Sequence, residues 1–287
     1  MSKISPQSII VTNKNDGTLL AVQVLENENA QESIIMLHGG PGYPDSFVEV
    51  SKVLNDKFRV ISFHQRGTGL SKNPSKDYSI DSYISDIEAI AEYFKLSRFH
   101  IYGHSWGGLY GQLYAKKHSS KVLSLFLSSP SSGTGELWTE MENCVLQYLQ
   151  NKATDWEFMQ MGLFSLVGAV FGLDWAHRKL FHLVLTVYHR GHTGEIHIDE
   201  EVNVKAEPII ETRKHLQKHK ELPLVIEDTP YPVALTYGES DIYGSTMEKS
   251  IARYPSAKMH IIESAGHIPY IHNPSQYFRV VKEFYQL

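Results

Sequence analysis

Residues 98–118 read RFHIYGHSWGGLYGQLYAKKH. Phe99 to Tyr102 are aromatic or β-branched, as suits a strand, apart from one histidine; Gly103 and Gly107 bracket Ser105; Leu109, Leu113 and Tyr114 then recur at helical spacing. A strand that turns between glycines directly into a helix is half of a crossover connection. Repeated crossovers produce a parallel sheet covered on both faces. The same stretch asks whether Ser105 is a nucleophile held on a strained turn or a serine that happens to lie among glycines. The pentapeptide alone does not decide it.

Outward from this stretch the alternation continues. Thr18 to Leu25, Ser33 to His38, Phe58 to Phe63, Arg98 to Gly103 and Lys121 to Ser129 are short runs with strand composition. Between the third and fourth, Ile80, Tyr83, Ile84, Ile87, Ile90, Ala91 and Phe94 form one apolar stripe at three- and four-residue spacing, which predicts an amphipathic helix. From about Pro130 to Asp228 the alternation stops in favour of helical pieces rich in Trp, Phe, Met, His and Glu. It then resumes with a strand at Tyr231 to Tyr237, a helix near Ser245 to Tyr254, a strand at Ala257 to Ile262 and a last helix after Asn273-Pro274. The reading is therefore α/β, with a mostly parallel central sheet flanked by helices. Residues 1–129 and 230–287 build the sheet and 130–229 form a helical cap over its edge. No internal repeat or low-complexity tract is present.

The chain has 287 residues, 42% hydrophobic and 21% charged, with a net charge of −5. Basic residues are not massed into runs, so nucleic acid is not expected as a partner. A single cysteine, Cys144, excludes an intrachain disulfide and suits a reducing cytosol. The first residues carry no apolar core of signal-peptide length, and cytoplasmic residence is the expectation. The most apolar segment, Met161 to Leu173, is 13 residues long, short of the roughly 20 that span a bilayer. It reads as a buried or pocket-lining helix, with contact at a membrane surface as the alternative.

In open parallel sheets ligands bind beyond the carboxyl ends of the strands. Four polar positions stand there. Ser105 follows a strand and precedes a helix whose first N–H groups and dipole face developing negative charge. A serine hydroxyl is a weak nucleophile and needs a base that is itself held by an acid. Asp241, in TYGESDIYG, follows the strand Tyr231 to Tyr237; His267, in ESAGHIPYIHNP, follows Ala257 to Ile262. The order Ser, Asp, His is that of a nucleophile on such a turn. The fourth position is LHGGPGYPDS after Ser33 to His38. Acyl transfer needs two N–H donors for the oxyanion, and Gly40 and Trp106 are the candidates.

On these residues the chain resembles the α/β-hydrolases of the prolyl iminopeptidase group. The resemblance is carried by His38-Gly39-Gly40-Pro41-Gly42, by QRGTGLS from Gln65 to Ser71, by GHSWGG from Gly103 to Gly108, by GESD ending at Asp241 and by AGH ending at His267. It implies the α/β-hydrolase fold, Ser105 as nucleophile, His267 as base, Asp241 as its orienter and Gly40 with Trp106 as oxyanion hole. It also implies cleavage of an N-terminal residue, preferentially proline, from a small peptide through an acyl-enzyme. Two positions depart from the pattern. His64 stands where the family usually has aspartate, and Ile242 follows Asp241 where some relatives carry a glutamate that grips the substrate's amine.

Fold and triad do not fix the acyl substrate. A carboxylesterase, a lactonase or a carbon–carbon hydrolase could use the same residues, and a non-catalytic small-molecule receptor could use the same fold. An ammonium group needs a carboxylate partner; Glu195, Asp199, Glu200, Glu201, Glu207 and Glu211 lie in the cap beside Lys205 and Arg213. Trp138, Trp156 and Trp175 are expected to wall the pocket. His177, His182, His189, His192 and His197 crowd the same region, but no cysteine or carboxylate completes a zinc pattern. Cys144 reads as packing, and the sequence requires neither metal nor cofactor. Oligomeric state is open.

Overall fold

A computed structural model describes residues 7–44, 47–194, 202–219, 222–223, 225–226 and 228–287. Eight strands form one sheet in the order β1-β2-β4-β3-β5-β6-β7-β8. They are β1 (Gln7–Thr12), β2 (Leu19–Leu25), β3 (Ser33–Leu37), β4 (Arg59–Phe63), β5 (Phe99–His104), β6 (Val122–Ser128), β7 (Val233–Gly238) and β8 (Lys258–Ile262). From β4 to β8 every neighbouring pair is parallel; β1 and β2 add an antiparallel edge. The edge strand β1 had no counterpart in the sequence reading. It is mostly exposed and carries no long apolar run, since it lies at the rim of the sheet.

The crossover helices are α1 (Val48–Leu54), α2 (Ile80–Tyr93) and α3 (Trp106–Lys117), with α8 (Met247–Arg253), a short α9 (Pro269–His272) and α10 (Pro274–Tyr285) completing the layers. The stripe that predicted α2 buries Ile80, Tyr83, Ile84, Ile87, Ile90 and Ala91. Ser79 caps its first turn by accepting from the Ser82 N–H. Residues of α2 and α3 fill one face of the sheet, and residues of α1 and α10 fill the other. Strand β3 is buried throughout, as a central parallel strand should be.

Two features place the site. Strand β3 pairs with β4 on one side and β5 on the other, so the chain reverses direction across the sheet there and opens a crevice at the carboxyl ends. Within that crevice Leu37 is in register with Gly103, which puts the HGG loop beside the turn at Ser105. Between β6 and β7 the chain inserts α4 (Glu136–Lys152), α5 (Asp155–Phe171), α6 (Asp174–His189) and α7 (Ala206–Lys218).

Below the site lies a buried ion pair. Arg66 donates to both oxygens of Asp86 at 2.9 and 2.8 Å and to Asp16 at 3.0 Å, and its remaining N–H groups reach the carbonyls of Asp77 and Ser82. The planar fork is fully satisfied, which is what permits a guanidinium in the interior. Burial raises the Asp86 carboxyl, and Arg66 opposes that shift.

Candidate active site

Ser105 sits at φ 54°, ψ −123°, outside the regions a side chain ordinarily adopts. Such a conformation costs on the order of 1–3 kcal/mol and persists only when the surroundings fix it. Here they do. The Ser105 N–H donates to the Ser128 carbonyl at 3.0 Å, and the Ser105 carbonyl accepts from Gly108 at 2.9 Å and Ser131 at 3.0 Å. The two flanking glycines are steric requirements: a Cβ on Gly103 would lie 2.4 Å from the Gly107 oxygen, and one on Gly107 would lie 2.0 Å from the Leu37 oxygen.

The structure brings the three sequence-picked side chains together. His267 Nε2 is 3.0 Å from Ser105 Oγ, and His267 Nδ1 is 3.1 Å from Asp241 Oδ1. All arrive from strand ends: Asp241 on the turn after β7, His267 on the turn after β8. Those turns are stitched by Glu239 N–H to the Ile262 carbonyl at 2.9 Å and Ser240 N–H to the Ala265 carbonyl at 3.0 Å. Behind His267, the Gly266 N–H donates to His272 Nδ1 at 3.0 Å. The His267 ring lies among aromatic neighbours, with Tyr243 at 4.8 Å, His104 at 5.0 Å and Tyr188 at 5.7 Å between centroids.

Gly40 and Trp106 are positioned by a network the sequence did not reveal. Trp106 is the first residue of α3, where the backbone N–H has no partner within the helix. Its indole N–H donates to Gln65 Oε1 at 2.8 Å; Gln65 Nε2 donates to the His38 carbonyl at 2.8 Å; and the Gln65 N–H donates to His38 Nε2 at 3.1 Å. His38 Nδ1 is therefore the protonated nitrogen, donating to the Gly39 carbonyl at 2.9 Å. One network thus ties the HGG loop, the QRG loop and the serine turn together. Burial lowers the His38 pKa to about 4, keeping the ring neutral and these roles fixed.

His64 positions its own loop. Its Nδ1 accepts from the Leu70 N–H at 3.1 Å, and its carbonyl accepts from the Ser71 hydroxyl. Burial pushes its pKa down, which favours the accepting neutral form.

Above Ser105 lies a cavity of about 1180 Å³. Gly39, Gly40, Ser105, Tyr243 and His267 line its floor, and Leu146, Leu149, Phe158, Met161, Leu180 and Val184 line it from α4, α5 and α6. Two carboxylates are among the described lining residues. Glu142 holds Arg213 through both oxygens, at 2.5 and 3.0 Å, and Glu49 holds Lys52 at 2.7 Å.

Several expectations for the inserted segment are corrected. Trp138 lines the cavity, but Trp156 and Trp175 are 63% and 44% exposed and do not line it. Met161 to Leu173 lines the cavity through Met161, Gly162 and Ser165, as expected, but is not buried as a whole: Leu163, Leu166, Val170 and Phe171 are exposed. A helix that is apolar around its circumference shows no sequence stripe from which to choose the inner face. Glu207 meets Tyr78 and Lys76, and Glu211 meets Lys214; neither lines the cavity. Glu195, Asp199, Glu200, Glu201 and His197 lie outside the described residues. His192 stacks on His272 at 4.2 Å, and among the described residues no group of three or more ligating side chains could hold a metal ion. No described helix is long and apolar enough to cross a membrane.

Tyr243, Ser131, Gln65 and His104 were missed as site residues. The available signals were weak: Tyr243 follows two positions after Asp241, and Ser131 belongs to the serine-rich turn after β6.

A family model described as alpha/beta hydrolase fold matches residues 32–274. Among curated proteins, the chain is 21% identical over 271 residues to a proline iminopeptidase of Clostridium botulinum, covering 88% of this chain and 89% of that one. It is 25% identical over 283 residues to a proline iminopeptidase of Heyndrickxia coagulans, covering 93% and 95%. Among solved structures, a proline iminopeptidase of Mycobacterium smegmatis superposes with a TM-score of 0.68 at 20% identity, covering 97% of each chain. A thermophilic esterase from Thermogutta terrifontis superposes with a TM-score of 0.67 at 17% identity, covering 98% of each.

Proposed function

The chain belongs to the α/β-hydrolase family, and within it we propose that the protein is a serine hydrolase. Ser105 attacks a carbonyl carbon and passes its proton to His267 Nε2. Asp241 holds the imidazole in the right tautomer and stabilises the imidazolium. The N–H groups of Gly40 and Trp106 take the oxyanion, His267 returns the proton to the leaving group, and water repeats the sequence on the acyl-enzyme. The supporting observation is the continuous chain from Ser105 Oγ through His267 to Asp241, at 3.0 and 3.1 Å. The protein as expressed, given Ser105→Ala, should keep its fold and lose turnover by about 10⁴-fold or more. A fluorophosphonate should label the parent and not the variant. Near-parent turnover in Ser105→Ala would sink the mechanism, and ligand binding without labelling would favour a non-catalytic receptor.

Two substrate readings follow, both with residues 130–229 as the cap over the site. The first is an aminopeptidase that releases N-terminal residues, proline preferred, in the cytosol; it is supported by the names of the curated relatives, which span most of the chain. The second is an ester, lactone or carbon–carbon hydrolase. It is favoured by the apolar wall above Ser105 and by Arg213, which already holds both oxygens of Glu142. Aminoacyl arylamides, proline included, compared with acyl esters decide between them. Turnover confined to esters rejects the peptidase reading, and turnover confined to proline arylamides rejects the other.

A further inference from the structure

Ser105 Oγ has a second polar neighbour besides His267. The phenol oxygen of Tyr243 lies 2.9 Å from it, and on the far side of that oxygen Ser131 Oγ lies at 2.7 Å. Tyr243 is not there by accident of packing. Its backbone N–H donates to Asp241 Oδ1 at 3.2 Å, so the residue is anchored to the acid of the triad. Ser131 is likewise anchored to the nucleophile, since its N–H donates to the Ser105 carbonyl at 3.0 Å.

The proton count fixes the direction of these bonds. Asp241 as a carboxylate accepts only, so His267 Nδ1 carries the proton and Nε2 is an acceptor. The Ser105 hydroxyl spends its one proton on Nε2, and its oxygen can then only accept from Tyr243. The Tyr243 hydroxyl, having donated to Ser105, accepts from Ser131. The chain therefore runs Ser131 to Tyr243 to Ser105 to His267 to Asp241, with each hydrogen used once.

Resting on the serine-hydrolase reading above, we propose that Tyr243 is a further catalytic residue, whose hydroxyl donates to Ser105 Oγ and stabilises the negative charge that oxygen gains on attack and on departure. During acylation the Ser105 proton goes to His267, and the Oγ–carbon bond forms while Tyr243 keeps its own proton. During deacylation that bond breaks, the Oγ electron pair is held by the Tyr243 O–H, and His267 returns a proton to it. Tyr243 is thus a donor fixed in place before the charge appears, the arrangement that lowers a barrier without reorganisation. Burial raises the phenol well above its ordinary range, which keeps it a neutral donor at working pH. Ser131 is a positioning residue that acts through it.

Tyr243→Phe keeps the ring against His267 and removes only the hydroxyl. It should lower kcat by about 10- to 100-fold with KM within about twofold, as expected for one donor to a charged oxygen. The rate of fluorophosphonate labelling of Ser105 should fall by a similar factor. Ser131→Ala should lower kcat about threefold to tenfold in the parent and have no further effect in the Tyr243→Phe background. A purely structural role would move the unfolding midpoint and KM and leave the two substitutions additive. Tyr243→Phe at parent kcat, or full additivity of the two changes, overturns the proposal. If Tyr243→Phe does not fold, Ser131→Ala alone still tests it, because parent kcat and labelling rate in that variant also overturn it. Loss of activity in Ser105→Ala together with a silent Tyr243→Phe would remove this inference and leave the serine mechanism standing.

Discussion

The loops at the carboxyl edge of the sheet and the helices inserted between β6 and β7 face the same cavity and are held in different ways. The serine turn is bound to β6, and the Asp241 turn to the His267 turn, backbone to backbone, while the HGG loop is bound to the QRG loop by bonds that pair a backbone group with the side chain of Gln65 or His38. Glycines let these segments approach so closely that a single Cβ would collide with main chain. Helices α4, α5 and α6 are bound to the rest by side chains, and α7 is tied at its start by the Lys205 N–H to the Gly42 carbonyl at 3.1 Å. Helix α5 buries only Met161 and Gly168, and its outer face is exposed. Ser105, Asp241 and His267 therefore sit where the backbone leaves little freedom. The cavity wall above them sits where side chains can be exchanged without disturbing them.

Glycine substitutions in the two regions test that contrast most severely. Gly107→Ala pushes a Cβ into the Leu37 carbonyl and should destabilise by more than about 3 kcal/mol, or prevent folding, as read by urea unfolding. Gly162→Ala on α5 meets nothing within 4 Å and should stabilise by about 0.5–1 kcal/mol through helix propensity. Similar losses for both would erase the distinction.

Acid should loosen the backbone-held region next. Unfolded histidine takes a proton near pH 6.5, at about its ordinary pKa, whereas folded His38 resists until about 4 and folded His272 until about 3. Between those values the unfolded state binds more protons, so stability is full above about 6.5 and falls as pH drops. The urea midpoint should decline from about pH 6.5 to about pH 4, and His38→Asn should decline less over that range. A level midpoint for the parent would show that these rings are not held neutral by the fold.

The smallest effect belongs to the exposed face of α5. Leu166→Ser should change stability by no more than about 0.5 kcal/mol and leave kcat untouched, since the side chain is exposed and does not line the cavity. A larger loss of stability would show that this face is covered.

The α/β alternation and the positions of Ser105, Asp241 and His267 were legible because they depend on local signals: strand composition, a glycine pair and a polar residue just past each strand end. The same signals could not reach Tyr243. Its hydroxyl meets Ser105 across 138 residues of chain, and nothing local distinguishes a tyrosine aimed at a distant serine from one that fills a core. Trp156 and Trp175 failed for the converse reason. Aromatic composition marked them as pocket walls, but they stand in the first turns of α5 and α6, and the packing of those two helices turned other residues inward.

The sequence by itself determined strands β2 to β8, the strand-end turns and the order of Ser105, Asp241 and His267, because backbone geometry at a strand–glycine–helix junction admits few alternatives. The tertiary structure decided everything that depends on two distant segments sharing one volume. That includes the proton chain from Ser131 to Asp241, the Gln65 brace between loops and the inner face of the inserted helices. Such contacts arise from closure of the sheet and its insertion in three dimensions, which no local pattern encodes.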